Sequence, residues 1–176
     1  MDRKTDYFAL FDLPRRYALD ETVLNESWRA LLARVHPDTA VLADATAKRK
    51  AIEDAAYVNE AYRTLKDPMR RGDYLLQCYD EAPLGSGDVL PVEFLSEQLE
   101  AREAADEAWR AGNRDRLESL QTSLRAAQRQ QQGALAVLFV EDETPSAEAL
   151  AKARQHVLSL QFLTRFADDL DEKIDV

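Results

Sequence analysis

The chain has 176 residues, 45% of them hydrophobic and 32% charged, with 5 Gly, 6 Pro and a formal net charge of −10. That length supports one compact domain or two small ones with a real core. The scarcity of Gly and Pro beside abundant Ala, Leu, Glu and Arg favours helix over a turn-rich β architecture. One cysteine, Cys78, excludes an intrachain disulfide, and with 2 histidines it is too few for a structural zinc site of Cys and His. The longest apolar run, Ala134 to Val140, is far short of a membrane span. No apolar stretch follows the charges of MDRKTDYF, so no secretory leader is expected and the reading is cytoplasmic. Residues 1–79 hold 13 basic and 13 acidic side chains, whereas residues 80–176 hold 10 basic and 20 acidic. The acidic half repels phosphate backbones, so neither a nucleic acid nor a membrane is an expected partner.

Thr5 or Asp6 can cap a short helix through Leu10 and Phe11, stopped by Pro14. Asp20 opens a second helix, with Glu21 in its first turn and Val23, Leu24, Trp28, Leu31, Leu32 and Val35 at helical spacing. Pro37 ends it, because the residue before a proline is pushed out of the α region. The resulting tripeptide His36-Pro37-Asp38 follows a helix bearing Arg29 and Arg34, about one turn apart. A third helix is expected from about Ala45 to Leu65, with Ile52, Ala55, Ala56, Asn59, Tyr62 and Leu65 on one side. A fourth starts at Asp67-Pro68, a cap followed by a helix-starting proline, and carries Tyr74, Leu75 and Cys78.

Pro, Gly and Ser then collect between Asp80 and Asp88, which reads as a linker over 80–90. Beyond it, Pro91 to Ala111, Arg114 to Val140 and Pro145 to Ile174 predict three amphipathic helices in an antiparallel bundle. Gly112-Asn113 is a helix-stop pair between the first two. The run Ala134 to Val140 is read as a buried helix turn, there being no second strand candidate to pair with it. On the last helix Val157, Leu160, Leu163, Ala167 and Ile174 share one face, while Leu158 and Phe162 lie nearly opposite. That arrangement predicts an exposed apolar patch, or a core extended by the first half. Trp28, Trp109 and Phe166 are read as packing residues, and Cys78 as a small buried apolar one.

The order of elements carries a resemblance. A short helix, a helix with basic residues, a His-Pro-Asp loop and a longer helix containing Asn59-Glu60-Ala61-Tyr62, followed by Leu65-Lys66-Asp67-Pro68, resemble a J-domain, the Hsp70-binding module of the DnaJ superfamily. Asp6 to Pro14, Tyr17-Ala18-Leu19-Asp20, Arg70 to Leu76 and Phe94 to Glu100 are similar to the HscB family of iron–sulfur co-chaperones. The resemblance covers nearly the whole chain.

It implies an all-α protein: a J-domain over 1–79, a linker over 80–90 and a three-helix bundle over 91–176. It also implies that His36, Pro37, Asp38, Arg29 and Arg34 engage an Hsp70 of the HscA type and promote its ATP hydrolysis. The bundle is then expected to bind the scaffold protein IscU through Leu95, Ser96, Leu99, Glu100, Glu103, Glu107 and Phe162. Thr39 and Ala40 depart from the family, which usually places Lys and often Phe directly after His-Pro-Asp.

A metal site on His36 has no partners in the sequence, since His156 lies in the other half and Cys78 on a separate helix. A hydrolase built on His36 and Asp38 lacks a Gly-x-Ser-x-Gly elbow and holds its two groups apart with a rigid proline. The chain is therefore expected to have no cofactor and no catalysis of its own, and to be monomeric or weakly self-associating. The rival readings are a J-domain protein with another client, a small hydrolase and a purely structural adaptor.

Overall fold

Among the described residues of the computed structural model, which are 6–35, 45–79, 81–82, 84–85, 87–141 and 143–175, seven helices form and no strand does. They are α1 (Tyr7–Leu10), α2 (Glu21–Val35), α3 (Ala45–Lys66), α4 (Pro68–Cys78), α5 (Val92–Arg110), α6 (Arg114–Leu138) and α7 (Ala147–Asp175). They divide between two units, one of Met1–Glu81 with Phe139–Thr144 and the other of Ala82–Leu138 with Pro145–Val176. No helix is long and apolar enough to cross a membrane among the described residues.

Local chemistry starts and stops the helices of the first unit. Asp6 Oδ1 accepts from the Ala9 amide at 2.8 Å, and the Arg15 guanidinium binds its other oxygen. Burial raises the Asp6 pKa, but these hydrogen bonds outweigh it and hold the carboxyl below its ordinary value. Helix α1 ends where Asp12 takes a left-handed φ of 55° and the Asp12 and Leu13 amides turn back onto Ala9 and Phe8. Asp20 caps α2 by accepting from Thr22 N at 2.8 Å, and Asp67 caps α4 by accepting from Arg70 N at 2.9 Å.

Helices α2 and α3 form an antiparallel hairpin pinned by directional bonds. Trp28 Nε1 donates to Asn59 Oδ1 at 3.0 Å, Tyr62 Oη donates to Asn25 Oδ1 at 2.7 Å, and the Trp28 and Tyr62 rings stack at 4.4 Å. Stepping back from 28 to 25 on one helix means stepping forward from 59 to 62 on the other, which fixes the register.

Below the hairpin, Tyr7 stacks on Tyr74 at 4.4 Å and its amide donates to Tyr74 Oη at 2.9 Å. Arg71 is buried, donates to Leu65 O at 2.8 Å and lies 4.8 Å from the Tyr17 ring, whose hydroxyl donates to Pro68 O at 3.0 Å. Burial pushes the Tyr17 hydroxyl up to about 12. Phe8, Phe11, Leu24, Val58, Ala61, Leu65, Leu75 and Leu76 complete the core, whereas Val23 and Ile52, placed by their spacing among the core positions, are exposed.

The α6–α7 connection departs from the sequence reading. Helix α6 stops at Leu138, not Val140, and Phe139 is buried in the first unit. Its ring stacks on Tyr79 at 6.0 Å, its carbonyl accepts from Tyr17 N at 3.1 Å, and Glu141 pairs with Arg16 at 3.3 Å. Of the apolar run expected to be a buried helix turn, Leu135 is buried but Val137 is exposed.

The second unit is the bundle of α5, α6 and α7. Alanines 105 and 108 of α5 pack with Leu117 and Leu124 of α6 and with Leu163, Phe166 and Leu170 of α7. Helix α5 closes on Gly112, at a φ of 64° where a side chain would be strained, and the Asn113 amide returns to Ala108 O at 2.8 Å. Asn113 Oδ1 then caps α6 by accepting from Arg116 N at 3.0 Å. Arg154 of α7 binds both carboxylate oxygens of Asp88, with Nη2 to Oδ2 at 2.8 Å, and Leu90 is buried. The stretch leading into α5 is thus fastened to the bundle.

Candidate functional site

His36, Pro37 and Asp38 lie outside the described residues, as do Thr39 and Ala40. Arg29 and Arg34 project from α2 just before that loop, and both are exposed. Five positions on a helix turn through about 140° beyond one full turn, so the two guanidinium groups do not share a face. They can engage one acidic surface only by flanking it.

On the bundle, α5 carries a continuous apolar stripe at its N-terminal end. Val92 is 71% exposed, Leu95 39% and Leu99 59%. Leu95 and Leu99 are one turn apart, and the same four-residue step continues to Glu103 and Glu107, both exposed. One ridge of the helix thus changes from aliphatic to acidic along its length, with exposed Ser96 and Glu100 one position round from it. A contiguous exposed apolar group with a polar rim is the chemistry of a protein-binding surface.

Phe162 is half-buried and meets α5 through two residues that the sequence reading did not single out as site residues. The Phe94 ring packs edge-on against it at 5.9 Å, and the Arg102 guanidinium lies 5.4 Å from its centroid and 4.7 Å from that of Phe166. Arg102 Nη1 also donates to Asp169 Oδ2 at 2.7 Å, which fixes the cation over the two rings. The available signal was the four-residue spacing of Phe162 and Phe166, which places two rings on one side of α7 with room for a cation from α5. Val92 was missed as well, because a valine in the first turn of a helix carries no signal of its own exposure.

Trp109 was read as a packing residue, yet it is 49% exposed. Lys173 of α7 reaches across to it, with Nζ 5.1 Å from the ring centroid, and pairs with Asp106 at 2.9 Å. That hydrogen bond, with the lysine's charge, holds the Asp106 carboxyl below its ordinary value.

Burial pushes the half-buried Cys78 thiol up, away from a reactive thiolate. Among the described residues no cluster of His, Cys, Asp and Glu is arranged to hold a metal ion. What these residues offer is binding: a flat aliphatic strip, an aromatic ring held from two sides and a row of carboxylates.

Residues 90–171 match the model of the HSCB C-terminal oligomerisation domain. The chain is 35% identical over 176 residues to the co-chaperone protein HscB homolog of Azoarcus sp., covering 99% of this chain and 97% of that one. It is 36% identical over 173 residues to the homolog of Cupriavidus taiwanensis, covering 98% and 95%. The solved chaperone HscB from Vibrio cholerae superposes with a TM-score of 0.80 at 33% identity, covering 97% of this chain and 98% of that one. Human co-chaperone HscB shares the fold, with a TM-score of 0.86 at 23% identity over 100% of this chain and 86% of that one. An all-α chain with an N-terminal J-domain and a C-terminal helical domain, matched to these relatives along its whole length, belongs to the HscB family of co-chaperones.

Proposed function

We propose that this protein is a co-chaperone of iron–sulfur protein maturation that brings a scaffold of the IscU type to an Hsp70 of the HscA type and stimulates the ATPase of that Hsp70. The observation that carries the reading is the exposed Leu95–Leu99 stripe running into Glu103 and Glu107 beside Phe162, on a chain of this family. The two leucines and the Phe162 ring supply the apolar area, and the carboxylates set orientation and encounter rate by meeting basic groups of the scaffold. Phe162 is a suitable anchor because Phe94 and Arg102 already hold its ring, so little conformational freedom is lost on binding.

The J-domain acts on the Hsp70. The His36-Pro37-Asp38 loop would place a histidine and a carboxylate at a seam of the partner and rearrange its polar contacts. Arg29 and Arg34 would pair with acidic groups on either side of the seam. The chain itself makes and breaks no bond in this scheme, and the cluster is cargo of the scaffold. The cell compartment is then the bacterial cytoplasm.

The test is single-turnover ATP hydrolysis by an HscA-type Hsp70, with and without IscU, using the wild-type chain and His36→Gln. Stimulation that needs His36 and rises further with IscU is the expected result. Stimulation that needs His36 but is indifferent to IscU would assign a J-domain protein with another client. Turnover without any Hsp70 would point instead to chemistry of the chain's own.

A further inference from the structure

Phe162, Phe166 and Asp169 follow one another on α7 at steps of four and three residues. That spacing sets two rings and a carboxylate on one side of the helix. Phe166 is buried in the bundle core with Ala105, Leu163 and Leu170, so its position is set by that core. Phe162 is only half-buried. The Arg102 guanidinium from α5 spans the pair, 4.7 Å from the Phe166 centroid and 5.4 Å from that of Phe162. It links a ring fixed by the core to a ring at the surface.

The rings alone do not fix the cation. An arginine stem carries several rotatable bonds, and its attraction to a ring face is not tied to one orientation. Asp169 supplies the direction by accepting from Arg102 Nη1 at 2.7 Å. Both side chains reach solvent, and such an ion pair adds little to stability. The pair therefore places the guanidinium more than it holds the helices together. Removing the carboxylate leaves Asp106, one turn along α5 in the direction away from Phe94, to draw the guanidinium, since Asp106 already feels its charge.

From this geometry we infer that Asp169 is a positioning residue of the scaffold-binding face: it holds Arg102 over both rings and, through Arg102, presents Phe162 in the orientation the scaffold meets. The inference rests on the proposed function, since it takes the scaffold as occupant of that face. It goes beyond that reading by tracing the preorganisation of the ring to a carboxylate seven residues away, outside the stripe of Leu95, Leu99 and the glutamates.

The experiment is calorimetric titration of a purified IscU-type scaffold into the full chain as wild type, Asp169→Ala, Phe162→Ala and the double variant. Asp169→Ala is expected to weaken binding about threefold, the cost of ordering one ring during association. Asp169→Asn, which keeps an acceptor, should lose less. In the Phe162→Ala background Asp169→Ala should change nothing further, because its route to the scaffold is gone. Its urea midpoint should match that of the wild type. With 4-fluorophenylalanine in place of the 6 phenylalanines, the Phe162 resonance is the one that Phe162→Ala removes, and Asp169→Ala should move it without any scaffold present. An equal loss of affinity in both backgrounds would make Asp169 a direct charge partner of the scaffold and overturn the inference. So would a loss matched by a lower urea midpoint with the fluorine resonance unmoved. Unchanged affinity of Asp169→Ala, with the wild type binding normally, would overturn it and leave the proposed function standing. Failure of the wild type to bind scaffold at all would overturn both.

Discussion

The two units solve opposite problems with the same kind of helix. The first joins its helices with directional contacts: Trp28 to Asn59, Tyr62 to Asn25, Tyr7 on Tyr74, and Arg71 between Leu65 and Tyr17. Hydrogen bonds and stacked rings tolerate little sliding, so the two helices of the hairpin keep one register. The second packs α5 on its neighbours through alanines, which lets the helices approach closely, and leaves aliphatic side chains at the surface. The first unit turns most of its large side chains inward, and the second leaves Val92, Leu95, Leu99 and Trp109 at its surface.

The difference can be broken most severely at Phe139. Truncating it to alanine removes a fully buried ring from the first unit and is expected to cost about 3–5 kcal/mol there. Each unit contains one tryptophan, Trp28 in the first and Trp109 in the second. Urea unfolding followed by resolved tryptophan signals should therefore show the Trp28 transition moving to lower urea while the Trp109 transition stays. A shift of the Trp109 transition alone would return Phe139 to the bundle.

Next in size is the contrast between anchor and rim within the second unit. Phe162→Ala should weaken scaffold binding by about 2 kcal/mol or more, roughly thirtyfold, whereas Glu107→Ala should cost only a few tenths. Equal small effects on isothermal titration would remove Phe162 from the role of anchor.

The smallest expected effect concerns His156, whose Nδ1–H donates to Gln131 Oε1 at 2.7 Å. Burial lowers its pKa below the ordinary 6.5, so the unfolded chain takes up the proton first as pH falls. Its contribution to stability is full above pH 6.5 and declines as pH drops from there toward the lowered folded value. His156→Gln should flatten that part of the stability profile, and an unaltered slope would mean that the ring is solvated in the folded state.

Much of the fold was legible because helix ends are local chemistry. Asp6, Asp20 and the Asp67-Pro68 pair announce helix starts, and Gly112-Asn113 announces a stop, in a handful of adjacent residues. Asp12 shows the limit of that reading, since an aspartate took the left-handed position usually given to glycine. The destination of Phe139 was not legible, because nothing nearby separates it from Leu135 and Leu138 in the same apolar run. Within the candidate site, Leu95, Leu99 and the glutamates came from family resemblance, and helical periodicity independently set Phe162 apart. Arg102 stayed hidden, because a cation lying on two aromatic rings is a tertiary event with no trace in its own neighbourhood.

The insertion of Phe139–Thr144 into the first unit has a consequence for synthesis. A chain emerging from a ribosome has the helices of its N-terminal unit in hand by Glu81, but the ring that completes their core is encoded about 60 residues later. At about 5–20 residues per second the nascent J-domain waits several seconds with a Phe-sized gap beside Tyr79. An N-terminal unit built this way finishes folding only when α5 and α6 of the following bundle have already been made.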